Sequence, residues 1–120
     1  MKETSIQKRI MLAVSNAGCS IFRNNSGVHK TEDGRFIRYG VGSPGGSDLI
    51  GWKSVTITPD MVGKKVAVFT AIEVKTPTGR ITQEQQNFIV AVNRAGGIGF
   101  VARSADDALT QLGERLHDNQ

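Results

Sequence analysis

From Val66 to Val74 every residue but Thr70 and Glu73 is apolar. The run is too short to cross a bilayer, and Glu73 closes it with a charge. It reads as a central strand covered on both faces, which in turn requires helices above and below a sheet. The flanking segments supply them. Thr4 to Ala17 places Ile6, Ile10, Ala13, Val14 and Ala17 at helical spacing, with Thr4 and Gln7 as a capping box and Gly18 as terminator. Thr82 opens a second helix to about Ala95, with Phe88, Ile89 and Val92 as its buried stripe. Gly96-Gly97 ends that helix, Ile98 to Ala102 forms a strand, and Ser104 with Asp107 caps a last helix to about Leu116. From His117 on, a polar tail is expected to fray.

The remaining segments are strands and turns. Cys19 to Asn25 and Arg35 to Tyr39 read as strands joined through the Asp33-Gly34 turn signal, and Leu49 to Ile57 as a strand with Trp52 packed on the sheet. Thr58-Pro59-Asp60 reads as a turn or a single helical turn. The fold class is therefore α/β, with a mixed central sheet flanked by helices, in one domain over residues 1–120.

Composition narrows the setting. The single cysteine, Cys19, has no intramolecular partner, so a disulfide framework is excluded and a reducing compartment, the cytoplasm, is expected. No stretch reads as a signal peptide or membrane span. The net charge is +4, and all of it lies in the first part of the chain. Residues 1–53 carry eight basic side chains against four acidic ones, whereas the rest is balanced. Arg23, Lys30, Arg35 and Arg38, with Asn24 and Asn25 as neutral donors, suit the phosphates of a polyanion such as DNA. An ordinary solvated surface is the alternative on charge alone.

Two pieces carry the chemistry. In Ala71-Ile72-Glu73-Val74-Lys75, the spacing puts Glu73 and Lys75 on one face of a strand and turns Val74 to the other, toward apolar surroundings. Charges so near a core strand are costly unless they emerge at an edge, pair with each other, or hold a metal. In Gly46-Ser47-Asp48-Leu49-Ile50-Gly51, Asp48 opens a strand after the glycine-rich loop 40–46. If the two strands are neighbours, Asp48 reaches the same spot. Two carboxylates would hold Mg²⁺ or Mn²⁺ through oxygen, and a lysine would orient water or offset developing charge, as phosphodiester hydrolysis needs.

An aspartate followed by Glu-x-Lys resembles the PD-(D/E)xK nuclease superfamily. The sequences Gly-Gly-Ser-Asp-Leu-Ile-Gly at 45–51, Glu-Val-Lys-Thr-Pro-Thr-Gly-Arg at 73–80 and Thr-Gln-Glu-Gln at 82–85 resemble, more narrowly, the VRR-NUC family in its small phage-borne form. This likeness runs from Ile6 to about Leu112. It implies a restriction-endonuclease-like core and an Mg²⁺- or Mn²⁺-dependent endodeoxyribonuclease acting on branched DNA. Metal ligands would be Asp48, Glu73 and the Val74 carbonyl, with Lys75 catalytic. Gln85 matches the family's glutamine on the second helix and equally completes a capping box with Thr82. The family's first-helix glutamate falls here on Gln7, which carries no charge. A third ligand would have to come from Gln7 through water or from Glu3, which lies before the expected helix start.

The resemblance further implies a homodimeric Holliday-junction resolvase in a bacterial cell. A catalytically inactive junction-binding module and a sequence-specific restriction-type nuclease are the alternatives. The chain's length argues against the second, since it leaves no room for a separate recognition domain.

Overall fold

The computed structural model describes residues 2–117, with side chains to Gly113. The described residues form a mixed α/β structure with three α-helices, a short 3-10 turn at Pro59–Met61 and three two-stranded sheets, compatible with a restriction-endonuclease-like core. The chain divides into two compact units, Met1–Ser54 and Val55–Gln120.

The second unit is built around a parallel pair. Strand β5, Thr70–Val74, runs beside β6, Ile98–Ala102, in the register Thr70 to Ile98 through Val74 to Ala102. Pleating sends Ile98, Phe100 and Ala102 to one face and Gly99 and Val101 to the other. The first face packs against Ala108 and Leu112 of helix α3, Ala105–His117. Opposite, helix α2, Gln83–Arg94, lies on Gly99, where a methyl group would come 3.2 Å from the Ile89 carbonyl oxygen. Ile89 and Val92, four and seven residues after Gln85, form the buried side of α2. Asn93 fastens the helix to the strand: its amide donates to the Gly99 carbonyl (3.0 Å) and its oxygen accepts from the Gly99 N–H (2.9 Å).

The apolar run beginning at Val66 becomes strand only from Thr70. The cause is the partner: β6 begins at Ile98, whose N–H reaches back to the Phe69 carbonyl, and Gly96-Gly97 belongs to the turn after α2. No ladder is left for 66–68, and Val66 and Val68 are exposed. Phe88 is likewise exposed rather than part of the buried stripe. Val74 also departs from expectation, at 77% exposed. It and Ile72 line an apolar groove of about 400 Å³ with Ala102 and Ala108.

The first unit holds helix α1, Glu3–Asn16, and four strands: β1, Cys19–Arg23; β2, Gly27–Lys30; β3, Phe36–Tyr39; and β4, Leu49–Lys53. Helix α1 begins one residue earlier than expected. Lys2 is the N-cap and offers no side-chain bond, so the Thr4–Gln7 capping box does not form. Glu3 occupies the first turn instead, where its carboxylate meets the positive end of the helix dipole. β1 pairs antiparallel with β4, placing Phe22 and Trp52 on one face with ring centroids 5.4 Å apart. β4 stops at Lys53 because β1 has no residue beyond Cys19 to pair with, which leaves Val55 and Ile57 exposed. Cys19 is free and half-buried.

The turn at Asp33-Gly34 does close a hairpin, but between β2 and β3 rather than β1 and β3. Thr31 N–H donates to the Arg35 carbonyl (2.8 Å) and Gly34 N–H to the Thr31 carbonyl (3.0 Å). The Thr31 hydroxyl and the Arg35 N–H both donate to the Asp33 carboxylate, holding its pKa below the ordinary 3.8. A depressed acid stabilises the fold above its unfolded pKa, so the turn loses this contribution as pH falls through the lowered value. Among the described residues, no helix is long and apolar enough to cross a membrane.

The parallel pair depends most on Phe100, at 3% exposed between the sheet and α3. Phe100→Ala should lower unfolding free energy by about 3–5 kcal/mol, through lost transfer energy and the cavity left behind. Urea titration by circular dichroism measures it, and a loss under about 1 kcal/mol would show that α3 is not seated on this face.

Candidate active site

Glu73, Lys75 and Gln85 meet in the second unit. Alternation along β5 sends Ala71, Glu73 and Lys75 to the side that α2 covers, and Ile72 and Val74 to the α3 side, where both stay exposed. The acid and amine share one face, as the spacing predicts, but theirs is the better covered face. Their side chains are 31% and 19% exposed, and Lys75 Nζ stands 3.5 Å from Glu73 Oε1. Partial burial of two charges is tolerable because they pair and because Gln85 adds a bond to the carboxylate.

Gln85 performs both roles the sequence left open. Its N–H donates to Thr82 Oγ1 (3.1 Å) and its Oε1 accepts from the Thr82 N–H (2.9 Å), which completes a capping box at the start of α2. With the carbonyl end so fixed, Nε2 donates to Glu73 Oε1 at 2.9 Å. The cap thus orients the catalytic candidate. Both recorded contacts of the Glu73 carboxylate, from Gln85 and from Lys75, fall on Oε1.

Arg103, which sequence reasoning missed, holds the turn that follows β5. One Nη1 donates to the Thr76 carbonyl (2.6 Å) and the Gly79 carbonyl (2.7 Å), while the Arg103 backbone N–H donates to Asp107 Oδ2 (3.0 Å). Lys75 N–H donates to the Ala102 carbonyl (3.1 Å), so the strand end is tied to the residue next to Arg103. The turn signal Pro77-Thr78-Gly79 was readable, but no local pattern links it to an arginine more than twenty residues later.

Asp48, Arg23, Asn24, Asn25, Lys30, Arg35, Arg38, Glu3 and Gln7 belong to the first unit. Asp48 precedes β4 and is exposed, and its carboxylate has no partner among the described residues. Its carbonyl accepts from the Asn24 N–H at 2.8 Å. Asn24 also staples the glycine-rich loop, donating to the Val41 (2.8 Å) and Ser47 (3.0 Å) carbonyls and accepting from the Val41 N–H (3.0 Å). Its amide is fully engaged and has no N–H to offer a phosphate. Gly46 is required by this loop, since a methyl there would overlap the Val41 carbonyl oxygen. Asn25, Arg23, Lys30, Arg35 and Arg38 are exposed, with Arg35 paired to Asp33 at 3.3 Å. On α1, Gln7 is half-buried and Glu3 exposed.

Among the described residues, no three histidine, cysteine or acidic side chains cluster around one point. The donors on offer are nonetheless of one kind. Carboxylate and backbone oxygens suit hard divalent cations, and the soft ligands that would favour zinc or copper are missing from this set.

A model of the VRR-NUC domain matches residues 2–106, most of the chain, with Asp48, Glu73, Lys75, Gln85 and Arg103 among them. The chain belongs to the VRR-NUC family. The family is one of nucleases, and the VRR-NUC match extends across both units, from Lys2 to Asp106. No curated protein and no solved structure matches it.

The two bonds from Arg103 are charge-assisted but exposed. Arg103→Ala should therefore cost about 1–2 kcal/mol, toward the lower end for such bonds. Arg103→Lys should not restore it, because lysine Nζ ends one bond short of the Nη1 position that serves both carbonyls. Hydrogen exchange at Gly79 should accelerate in both variants, and unchanged exchange would show that the turn holds itself.

Proposed function

We propose that this VRR-NUC chain is a divalent-metal-dependent, structure-selective DNA endonuclease of the PD-(D/E)xK type, acting on four-way junctions as a homodimer. The observation that carries the reading is the Glu73–Lys75–Gln85 cluster. An acid and an amine on a half-buried strand end, with the acid oriented by a helix cap, form more than a solvated ion pair. The phage-borne form suggested by the sequence places such an enzyme in the bacterial cytoplasm.

Asp48, Glu73 and the Val74 carbonyl would hold Mg²⁺ or Mn²⁺, with Glu3 or a water on Gln7 adding a further oxygen. Bound there, the cation supplies Lewis acidity to the phosphate and acidity to water. The chain's own groups do the rest. Gln85 steadies Glu73 by its bond to Oε1. Lys75 presents an ammonium beside that carboxylate, able to orient the attacking water or bind a phosphate oxygen as its charge grows. Arg103 keeps the backbone after Lys75 from drifting. Lys30, Arg35 and Arg38 neutralise phosphates and carry no sequence information.

Asp48→Ala and Glu73→Ala should each abolish cleavage in Mg²⁺ or Mn²⁺ while DNA binding persists, since each removes a charged oxygen. Lys75→Ala should lower the single-turnover rate about 10²-fold or more with little change in affinity. Full activity in either acid variant, or wild-type activity in excess chelator, sinks the site assignment.

A junction needs two coordinated incisions, and a two-fold dimer supplies two sites through one self-complementary interface. Light scattering should give twice the 12.9 kDa chain mass, and a mobile-core junction should show paired cuts. A monomer cutting plain duplex equally well would refute the resolvase reading and leave the nuclease standing. Gln7 at the position of the family's glutamate is what favours the rival, an inactive junction-binding module. That rival predicts binding without cleavage in every metal tested.

A further inference from the structure

The β2–β3 hairpin is covered on neither face. All four residues of β3 are exposed, including Phe36 at 70%, Ile37 at 55% and Tyr39 at 49%. Of β2, Val28, His29 and Lys30 are exposed as well. A two-stranded ribbon of this length is marginal alone and buries little of its own apolar surface. Three large apolar side chains among the four residues of one open strand are therefore informative where a single one would not be.

The register sorts these residues. Lys30 lies opposite Phe36, and Val28 opposite Arg38, so one face carries Val28, Lys30, Phe36 and Arg38. There Lys30 Nζ lies over one side of the Phe36 ring, 5.9 Å from its centroid, while the residue remains 70% exposed. Arg38 follows two residues along the strand, about 7 Å away. On the other face the Tyr39 ring lies across Gly27, where any Cβ would meet the phenol oxygen at 2.5 Å. The base of the hairpin is held by the Asn24 staple to Val41 and Ser47.

We propose that this face is a stacking platform for unpaired DNA bases, with Phe36 against the base and Lys30 and Arg38 on the adjoining phosphates. Aromatic rings with interleaved cations are how single strands are gripped without sequence preference, because every base has a π-face and every linkage a negative charge. A second copy of the chain is the poorer occupant. Self-association through this face about a two-fold axis would set Lys30 and Arg38 against their own counterparts. The inference rests on the nuclease reading in taking DNA as the polymer. It adds that the contact is made to open bases, which loops, flaps and opened branch points expose and matched duplex hides.

The test is binding of the full chain, in chelator so that cleavage plays no part. Three fluorescein-labelled DNAs are titrated by polarisation: a 20-nucleotide oligothymidylate, a matched duplex, and the duplex with a four-thymidine bulge. The wild type should favour the oligothymidylate and the bulge over the duplex. Phe36→Ala should weaken those two by roughly five- to a hundredfold and leave the duplex within about twofold. Phe36→Trp should restore them, whereas Phe36→Leu, apolar but without a ring face, should not. Lys30→Ala and Arg38→Ala should each reduce the salt slope on oligothymidylate by about 0.7. Equal losses on all three DNAs in Phe36→Ala, rescue by Phe36→Leu, or no binding to any of them would overturn the proposal. Cleavage is assayed separately in Mg²⁺, so an inactive chain that still discriminates by Phe36 would refute the nuclease and keep the platform.

Discussion

The Gln85 side chain joins a structural requirement to a chemical one. A helix start leaves backbone N–H groups without partners, and the Thr82–Gln85 box satisfies two of them. Because the Gln85 carbonyl is committed to that cap, its amide nitrogen is aimed, and what it meets is Glu73 at 2.9 Å. Helix α2 can deliver this group only because Ile89 and Val92 seat it on the sheet and Asn93 locks it to Gly99. The site geometry is thus inherited from a cap, two buried aliphatics and one asparagine, none of which need touch a substrate.

Magnitudes decide how the Glu73–Lys75 pair should be regarded. At about 4 Å and an effective dielectric near 20, unit charges attract by about 4 kcal/mol, but loss of hydration cancels much of this, and partly exposed pairs retain about 1 kcal/mol. The pair is a weak source of stability. Its consequence is conformational: a lysine and a glutamine converge on Oε1 and together steady the carboxylate. Stability comes instead from Phe100, Ile98 and Val92, all within 8% exposure, on the other elements of the same unit.

What the sequence revealed follows from the range of the forces involved. The second helix, strand β6 and the cap at Ser104 were legible nearly to the residue, because Thr82-x-x-Gln85, Gly96-Gly97 and Ser104-x-x-Asp107 are local signals. The common face of Glu73 and Lys75 was equally legible, being fixed by pleating alone. Which face was covered was not. The apolar run argued that Val74 points inward, whereas α2 covers the glutamate side and leaves Val74 open. Strand length failed for a related reason: Val66 to Val68 and Val55 to Ile57 are good strand formers with no partner residue opposite them. Arg103 was invisible because its two carbonyl partners are distant in sequence. The hairpin turn at Asp33-Gly34 was read correctly, but the choice of β2 over β1 as partner for β3 is a tertiary matter that turn chemistry does not encode.

The two units are fixed by different means, and the difference bears on what each can do. Every fully buried side chain among the described residues belongs to the second unit. In the first, the geometry around Asp48 is set by polar ties: Asn24 N–H to the Asp48 carbonyl, the Asn24 amide to Val41 and Ser47, and the Ser47 hydroxyl to the Leu49 carbonyl at 3.0 Å. Hydrogen bonds of this exposed kind are worth about 1 kcal/mol each and are directional, so they define a loop closely without making it stable against opening. A close-packed parallel pair suits the roles proposed for the carboxylate and amine, for which a displacement of about an ångström would matter. A thinly buried unit carrying the whole excess of positive charge suits contact with a polymer whose shape varies, because the cations need reach only a backbone that is alike in every sequence.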